Sequence, residues 1–167
     1  LGKTIGGGLP LAAVAGKKPL LDHFDKSVVG ADKFTLQIGT LSGNPLAAAA
    51  GLKTLEILKR PGSFESLYAH GDRLISALRR ALDKQQISYQ IVGEPVLFDV
   101  VFSHTQANNY RDIQAANNDL SNRFNQHLRS AGILKSPSKI YPCLALSDED
   151  HQLTESAFEE AAAFLIK

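Results

Sequence analysis

The chain has 167 residues, 44% hydrophobic and 21% charged, with 18 Lys and Arg against 17 Asp and Glu for a formal net charge of +1. It is too apolar for a disordered chain, carries no electrostatic footprint for nucleic acid, and contains no run near the roughly 18–20 apolar residues of a membrane helix. One cysteine, Cys143, excludes an internal disulfide framework and a cysteine-based zinc site; the expected setting is reducing and cytoplasmic. There is no methionine, and the chain opens at Leu1 straight into Gly2-Lys3-Thr4-Ile5-Gly6-Gly7-Gly8. A functional-looking loop rarely sits at a fraying terminus. We therefore expect the carboxy-terminal part of a longer protein, one whose targeting segment cannot be read.

Residues 1–45 are dense in Gly and Pro, with apolar runs at Leu9–Ala15 and Lys33–Ile38. They predict loops joining short strands, with one helical turn at Pro19–Phe24. From Ala47 to Arg60 the pattern is helical, entered from Asn44-Pro45 as cap and first-turn proline and stopped by Pro61-Gly62. Phe64, Leu67, Tyr68, Leu74, Ile75, Leu78 and Leu82 repeat at helical spacing and predict a second helix.

Strands are expected at Tyr89–Val92 and Val96–Phe102 around a Gly93-Glu94-Pro95 turn. An Asn-rich helix follows at Ile113–Ala131, stopped by Gly132, then short strands at Ile133–Lys135 and Cys143–Leu146. Ser147 caps a last helix, with Asp148, Glu149 and Asp150 at its positive end. The natural boundary lies near Pro61-Gly62. Residues 1–61 have too few strands to close a core alone, whereas residues 62–167 have the make-up of a small α+β domain.

Two segments carry chemistry. Gly2-Lys3-Thr4 matches the end of the nucleotide-binding pattern G-x-x-x-x-G-K-[ST]. That motif must run straight into a helix, and three glycines and Pro10 stand there instead. The competing reading is a lysine between glycines, able to form a Schiff base with a carbonyl; composition alone favours a plain solvated lysine. Gly39-Thr40-Leu41-Ser42-Gly43-Asn44-Pro45, running into a helix, fits either an anion site or an ordinary capping loop.

Taken together, in this order and spacing, the two segments resemble the class III, pyridoxal-phosphate-dependent aminotransferases, and within them most closely the glutamate-1-semialdehyde 2,1-aminomutases. Leu1 to Pro10 matches the family's L-G-K-x-I-G-G-G-x-P at every fixed position, and Gly39–Pro45 matches its G-T-x-S-G-N-P. The resemblance implies a fold-type-I enzyme: α/β for the end of a large cofactor-binding domain at 1–61, α+β for a small domain at 62–167. It implies that Lys3 holds pyridoxal phosphate as a Schiff base and moves the substrate proton. It further implies a homodimer in which Thr40 contacts the phosphate of the neighbouring subunit's cofactor.

The amino donor and acceptor would be small molecules, glutamate-1-semialdehyde or, alternatively, the substrates of an ω-amino-acid transaminase. The family's pyridine-pairing aspartate, stacking aromatic and other phosphate loop all precede the lysine, so the 167 residues alone are expected to be inactive. Ala131–Ser138 and Leu144–Asp150 extend the likeness more weakly. Leu146 stands where a histidine is usual, and Lys139-Ile140-Tyr141 replaces a phenylalanine–glutamate pair near the substrate entrance. From other classes, a cofactor-free binding relative and a phosphate-binding NTPase fragment stay open.

The five histidines (His23, His70, His104, His127 and His151) lack metal-ligand spacing and are expected on surfaces or helix faces. Cys143 is expected to be a buried, inert thiol in an apolar strand. Ser42 has no histidine near it in sequence to activate it as a nucleophile.

Overall fold

A computed structural model describes residues 1–166 of the chain. The chain divides into two units, Leu1–Pro61 and Gly62–Lys167.

In the first unit two single-turn helices, α1 (Lys18–Leu21) and α2 (Lys26–Val29), precede the long helix α3 (Pro45–Leu58). The turn expected at Pro19–Phe24 is present as α1 continued by a 3-10 turn at Asp22–Phe24. Helix α3 begins where the sequence places it. The Asn44 side chain accepts from the Leu46 and Ala47 N–H groups at 2.9 and 3.2 Å, and Pro45 occupies a first-turn position that lacks a partner anyway. The strands expected in residues 1–45 do not form; none is found in this unit. The segment after Gly8 forms no regular element, and it exchanges one pair of hydrogen bonds with the start of the chain, between Leu1 and Ala13 at 2.8 and 2.9 Å. One pair is not a ladder.

The second unit runs α4 (Ser63–Lys84), β1 (Gln90–Glu94), β2 (Leu97–Val101), α5 (Tyr110–Gln114), α6 (Asn118–Ser130) and α7 (Asp148–Leu165). The strands pair antiparallel from Gln90↔Val101 to Glu94↔Leu97, so the connecting turn is Pro95-Val96, two residues later than expected. The core is the inner stripe of α4 (Leu74, Leu78, Leu82), alternate residues of β2 with Phe102, Phe124 and Leu128 of α6, and Phe158, Ala161 and Leu165 of α7. Phe124 meets Phe102 edge-on at 5.6 Å and stacks on Phe158 at 6.2 Å.

Where β2 meets the rest, the structure departs from three expectations. The helix expected over Ile113–Ala131 is two helices, because Asn117 interrupts it. Its N–H donates to the Phe102 carbonyl at 2.8 Å while its side chain caps the Leu120 N–H at 3.0 Å. Ile133–Lys135 is not a strand, since the Ile133 N–H is taken by Leu128 O in the Schellman closure of α6 around Gly132. Cys143–Leu146 is a turn closed from Leu146 N–H to Cys143 O at 3.3 Å, and Cys143 is exposed rather than buried. Among the described residues the one further partner of the hairpin is Ile140, which exchanges two hydrogen bonds with Phe98.

Helix α4 crosses the hairpin turn at Gly71. A Cβ there would lie 2.0 Å from Pro95 O and 2.4 Å from Pro95 C, both backbone atoms that cannot step aside. Gly71→Ala gains about 1 kcal/mol of helix propensity and is still expected to destabilise this unit by about 2 kcal/mol net, because overpacking at a backbone contact wins. All four tyrosines lie in residues 62–167 and the chain has no tryptophan. Tyrosine fluorescence in a urea titration therefore reads this unit alone, and an unchanged midpoint would refute the packing argument.

Candidate functional site

Lys3 opens a four-residue 3-10 turn, Lys3–Gly6, that ends at Gly7 in the left-handed region. A single 3-10 turn is not the α-helix that the nucleotide-binding pattern requires. Lys3 is itself left-handed at φ +57°, a conformation costing a side-chain-bearing residue about 1–2 kcal/mol. The other such residue, Gln86 at φ +56°, follows the last turn of α4 and takes part in a Schellman closure, with Gln86 N–H to Asp83 O and Ile87 N–H to Leu82 O. Lys3 has no such account from secondary structure. Its side chain is exposed, and its ammonium makes no hydrogen bond or ion pair among the described residues.

The turn carrying Lys3 lies on α3. The buried residues of this unit are Gly6, Ala47 and Gly51, all small, and Gly6 and Gly51 lie at that contact. A Cβ on Gly7 would stand 2.8 Å from Thr54 Oγ1 and 3.2 Å from Ala50 O. The Gly7 backbone therefore comes close to the α3 backbone here, with the Thr54 hydroxyl beside it.

The second motif forms the entry to the same helix. Ser42 N–H closes a turn on Gly39 O at 2.9 Å and Asn44 N–H closes another on Leu41 O at 3.2 Å. The N–H groups of Thr40, Leu41 and Gly43 and the Thr40 hydroxyl have no acceptor or donor among the described residues. Free amides and a hydroxyl ahead of a 14-residue helix suit a phosphate group. Pro10, Leu11, Ala12 and Val14 line one cavity of about 380 Å³ together with Gly39, Leu41, Ser42 and Gly43. The structure thus joins the two motif segments through a shared cleft and a shared helix. Lys3 and Thr40 are not themselves among the residues lining the cleft.

The second unit holds its own polar clusters. His70 Nδ1 and His151 Nε2 are 2.7 Å apart with their rings stacked, and His151 is buried rather than on a surface. Burial first, then Arg73 and His70, lowers its pKa. Arg73 of α4 ties to α7 through Asp148 at 2.6 Å and Glu155 at 2.8 Å. Burial and then Asp83 push the Tyr89 hydroxyl up to about 12.

Nothing about Ile133-Leu134-Lys135-Ser136 marks Lys135 in the sequence. Its side chain is only 7% exposed. Burial lowers its pKa and raises that of Asp99. Among the described residues no group of three or more His, Cys, Asp or Glu is placed to hold a metal, and no helix is long and apolar enough to cross a membrane.

Residues 1–162 match the family model described as Aminotransferase class-III. The chain is 40% identical over 138 residues to a glutamate-1-semialdehyde 2,1-aminomutase of Neisseria meningitidis serogroup C, covering 83% of this chain and 31% of that protein. It is 34% identical over 164 residues to the same-named protein of Methanopyrus kandleri, covering 96% and 37%. The chain thus spans about a third of the length of these curated relatives. Its fold is similar to that of an omega-transaminase from Sphaerobacter thermophilus, with a TM-score of 0.87 at 24% identity over 99% of this chain and 38% of that one.

Proposed function

The chain belongs to the class-III aminotransferase family, and from that premise we propose that it supplies the cofactor-bonding lysine of an enzyme moving an amino group between an amino-acid-like donor and an aldehyde or keto acceptor. The fold is fold-type-I, as expected, and the cofactor is pyridoxal phosphate. Family membership removes the NTPase reading, whose required helix is missing as well. One observation carries the proposal: the lysine at the motif position is held left-handed, with an unpaired amine, on a turn packed closely against α3.

The residues present fit the group. Lys3 would bond the cofactor's aldehyde carbon, and once displaced its amine would carry the substrate proton as general acid and base. When bound, pyridoxal phosphate supplies the electron sink for the carbanion at the substrate carbon. Thr40, with the free amides around it, would hold the phosphate of the partner subunit's cofactor in a homodimer. Residues 1–61 would close the large cofactor-binding domain and 62–167 would form the small one, in a cytoplasmic protein. The relatives at 34–40% identity favour glutamate-1-semialdehyde as substrate. The fold likeness to an omega-transaminase keeps an ω-amino-acid transaminase as the second reading.

Borohydride reduction of the full-length protein with its cofactor, followed by peptide mapping, tests this directly. The adduct is expected on Lys3. An adduct on another lysine would overturn the assignment, and no adduct at all would leave a cofactor-free binding relative as the better reading.

A further inference from the structure

Helix α3 carries a glycine at its middle, where glycine costs about 1 kcal/mol relative to alanine. The reason is on its surface. A Cβ at Gly51 would lie 2.4 Å from Leu11 Cδ2 and 3.1 Å from Ile5 O. Leu11 thus sits in a notch that only glycine leaves open, and the Ile5 carbonyl, inside the Lys3–Gly6 turn, rests on the same spot. One helical turn further on, Ala50 O and Thr54 Oγ1 press on Gly7 in the same way.

Gly6 and Gly51 are the buried residues at these contacts, and neither adds an apolar side chain to a core. Two local costs, a mid-helix glycine and a left-handed lysine, fall within segments that touch. Both restrict the backbone from which the Lys3 amine projects.

We propose that Gly51 is a positioning residue for Lys3: by admitting Leu11 and the Ile5 carbonyl onto α3, it fixes the turn that aims the lysine amine. The inference rests on the assignment of Lys3 as the cofactor-bonding residue. It predicts that disturbing the notch harms the placement of the lysine more than the retention of cofactor or the binding of substrate.

Gly51→Ala and, separately, Leu11→Ala in the full-length holoprotein test it. The first forces Leu11 out and pushes on Ile5 O; the second empties the notch without introducing a clash. In both, the absorbance band of lysine-bound cofactor and the yield of borohydride-trapped adduct on Lys3 are expected to fall. The turnover number should drop by about tenfold, the scale of a catalytic group displaced by a fraction of an ångström. In Gly51→Ala, KM and total cofactor content should stay within about twofold, since Gly51 lines no part of the cleft, whereas Leu11 does line it and Leu11→Ala is read by its adduct yield.

A folded variant of either kind that traps cofactor on Lys3 as the wild type does overturns the proposal. So does a fall in Gly51→Ala in which KM and cofactor content change as much as turnover, the mark of general loosening. If Gly51→Ala does not fold, the yield of adduct on Lys3 per bound cofactor in Leu11→Ala decides. A wild type that traps no adduct on Lys3 refutes the assignment itself and is told apart at once, because it fails before any variant is made.

Discussion

Replacing Lys3 by alanine in the full-length protein is expected to eliminate the trapped adduct and to lower turnover by about 10³-fold, the middle of the range for loss of a general acid–base group. The backbone sharpens this test beyond a simple loss of activity. At φ +57° a lysine is strained, and a glycine is not. Lys3→Gly is therefore expected to stabilise the first unit by up to about 1 kcal/mol while abolishing amino transfer just as fully. The exposed side chain, with no partner to lose, gives folding no reason to retain it. Urea unfolding followed by circular dichroism measures the stability arm, and a coupled amino-transfer assay measures the other. A Lys3→Gly variant that is both less stable and fully active would mean that the strain serves folding and that the chemistry lies elsewhere.

The same residue shows what the sequence could convey. Both motif segments were legible because they consist of glycines, a lysine and hydroxyl residues in fixed order, and their spacing needs no knowledge of packing. The helix α3 between Asn44 and Pro61 was legible for a related reason: its cap, its first-turn proline and its stop are all local signals. What was not legible is that the two segments meet. Gly51 looks like a mere weak point in a helical pattern until Leu11 and Ile5 O are seen against it.

In the second unit the long amphipathic helix and the hairpin followed from periodicity, whereas the stretch from Ile133 to Leu146 did not. Its apolar residues are short runs between prolines, which periodicity cannot separate from turns. The stretch is tied to the hairpin by the Phe98–Ile140 pair, which no short window of sequence contains. Asn117 interrupts the helix expected across it because its N–H is claimed by the carbonyl of Phe102, just beyond β2.

Lys135→Met is expected to destabilise the second unit by about 3–5 kcal/mol, the cost of removing one member of a buried charge cluster. The Lys135 ammonium donates to Asn125 Oδ1 and Ser136 O at 2.8 Å each and to Pro137 O at 3.3 Å, and it faces Asp99 Oδ1 at 3.5 Å. No hydrogen bond satisfies that Asp99 oxygen. Methionine fills the stem's space but leaves two carbonyls, an amide oxygen and a carboxylate without their cation, in the loop that delivers Ile140 to Phe98.

The deficit should also depend on pH, with a sign the burial of Asp99 fixes. Burial raises the Asp99 pKa above its ordinary 3.8, and Lys135 is the chief opposing influence. Without Lys135 the carboxyl would titrate higher still. The folded variant then binds its proton more tightly than the unfolded chain, so the penalty is full above the folded pKa and fades as pH falls through it. The Lys135→Met deficit is thus expected to be largest at neutral pH and smaller in acid. Adding Asp99→Asn should recover a large part of it at neutral pH by removing the stranded charge. Tyrosine fluorescence in urea, which reads only this unit, measures all three variants. A single variant within about 1 kcal/mol of wild type, or a deficit that grows in acid, would show that the cage holds nothing in place.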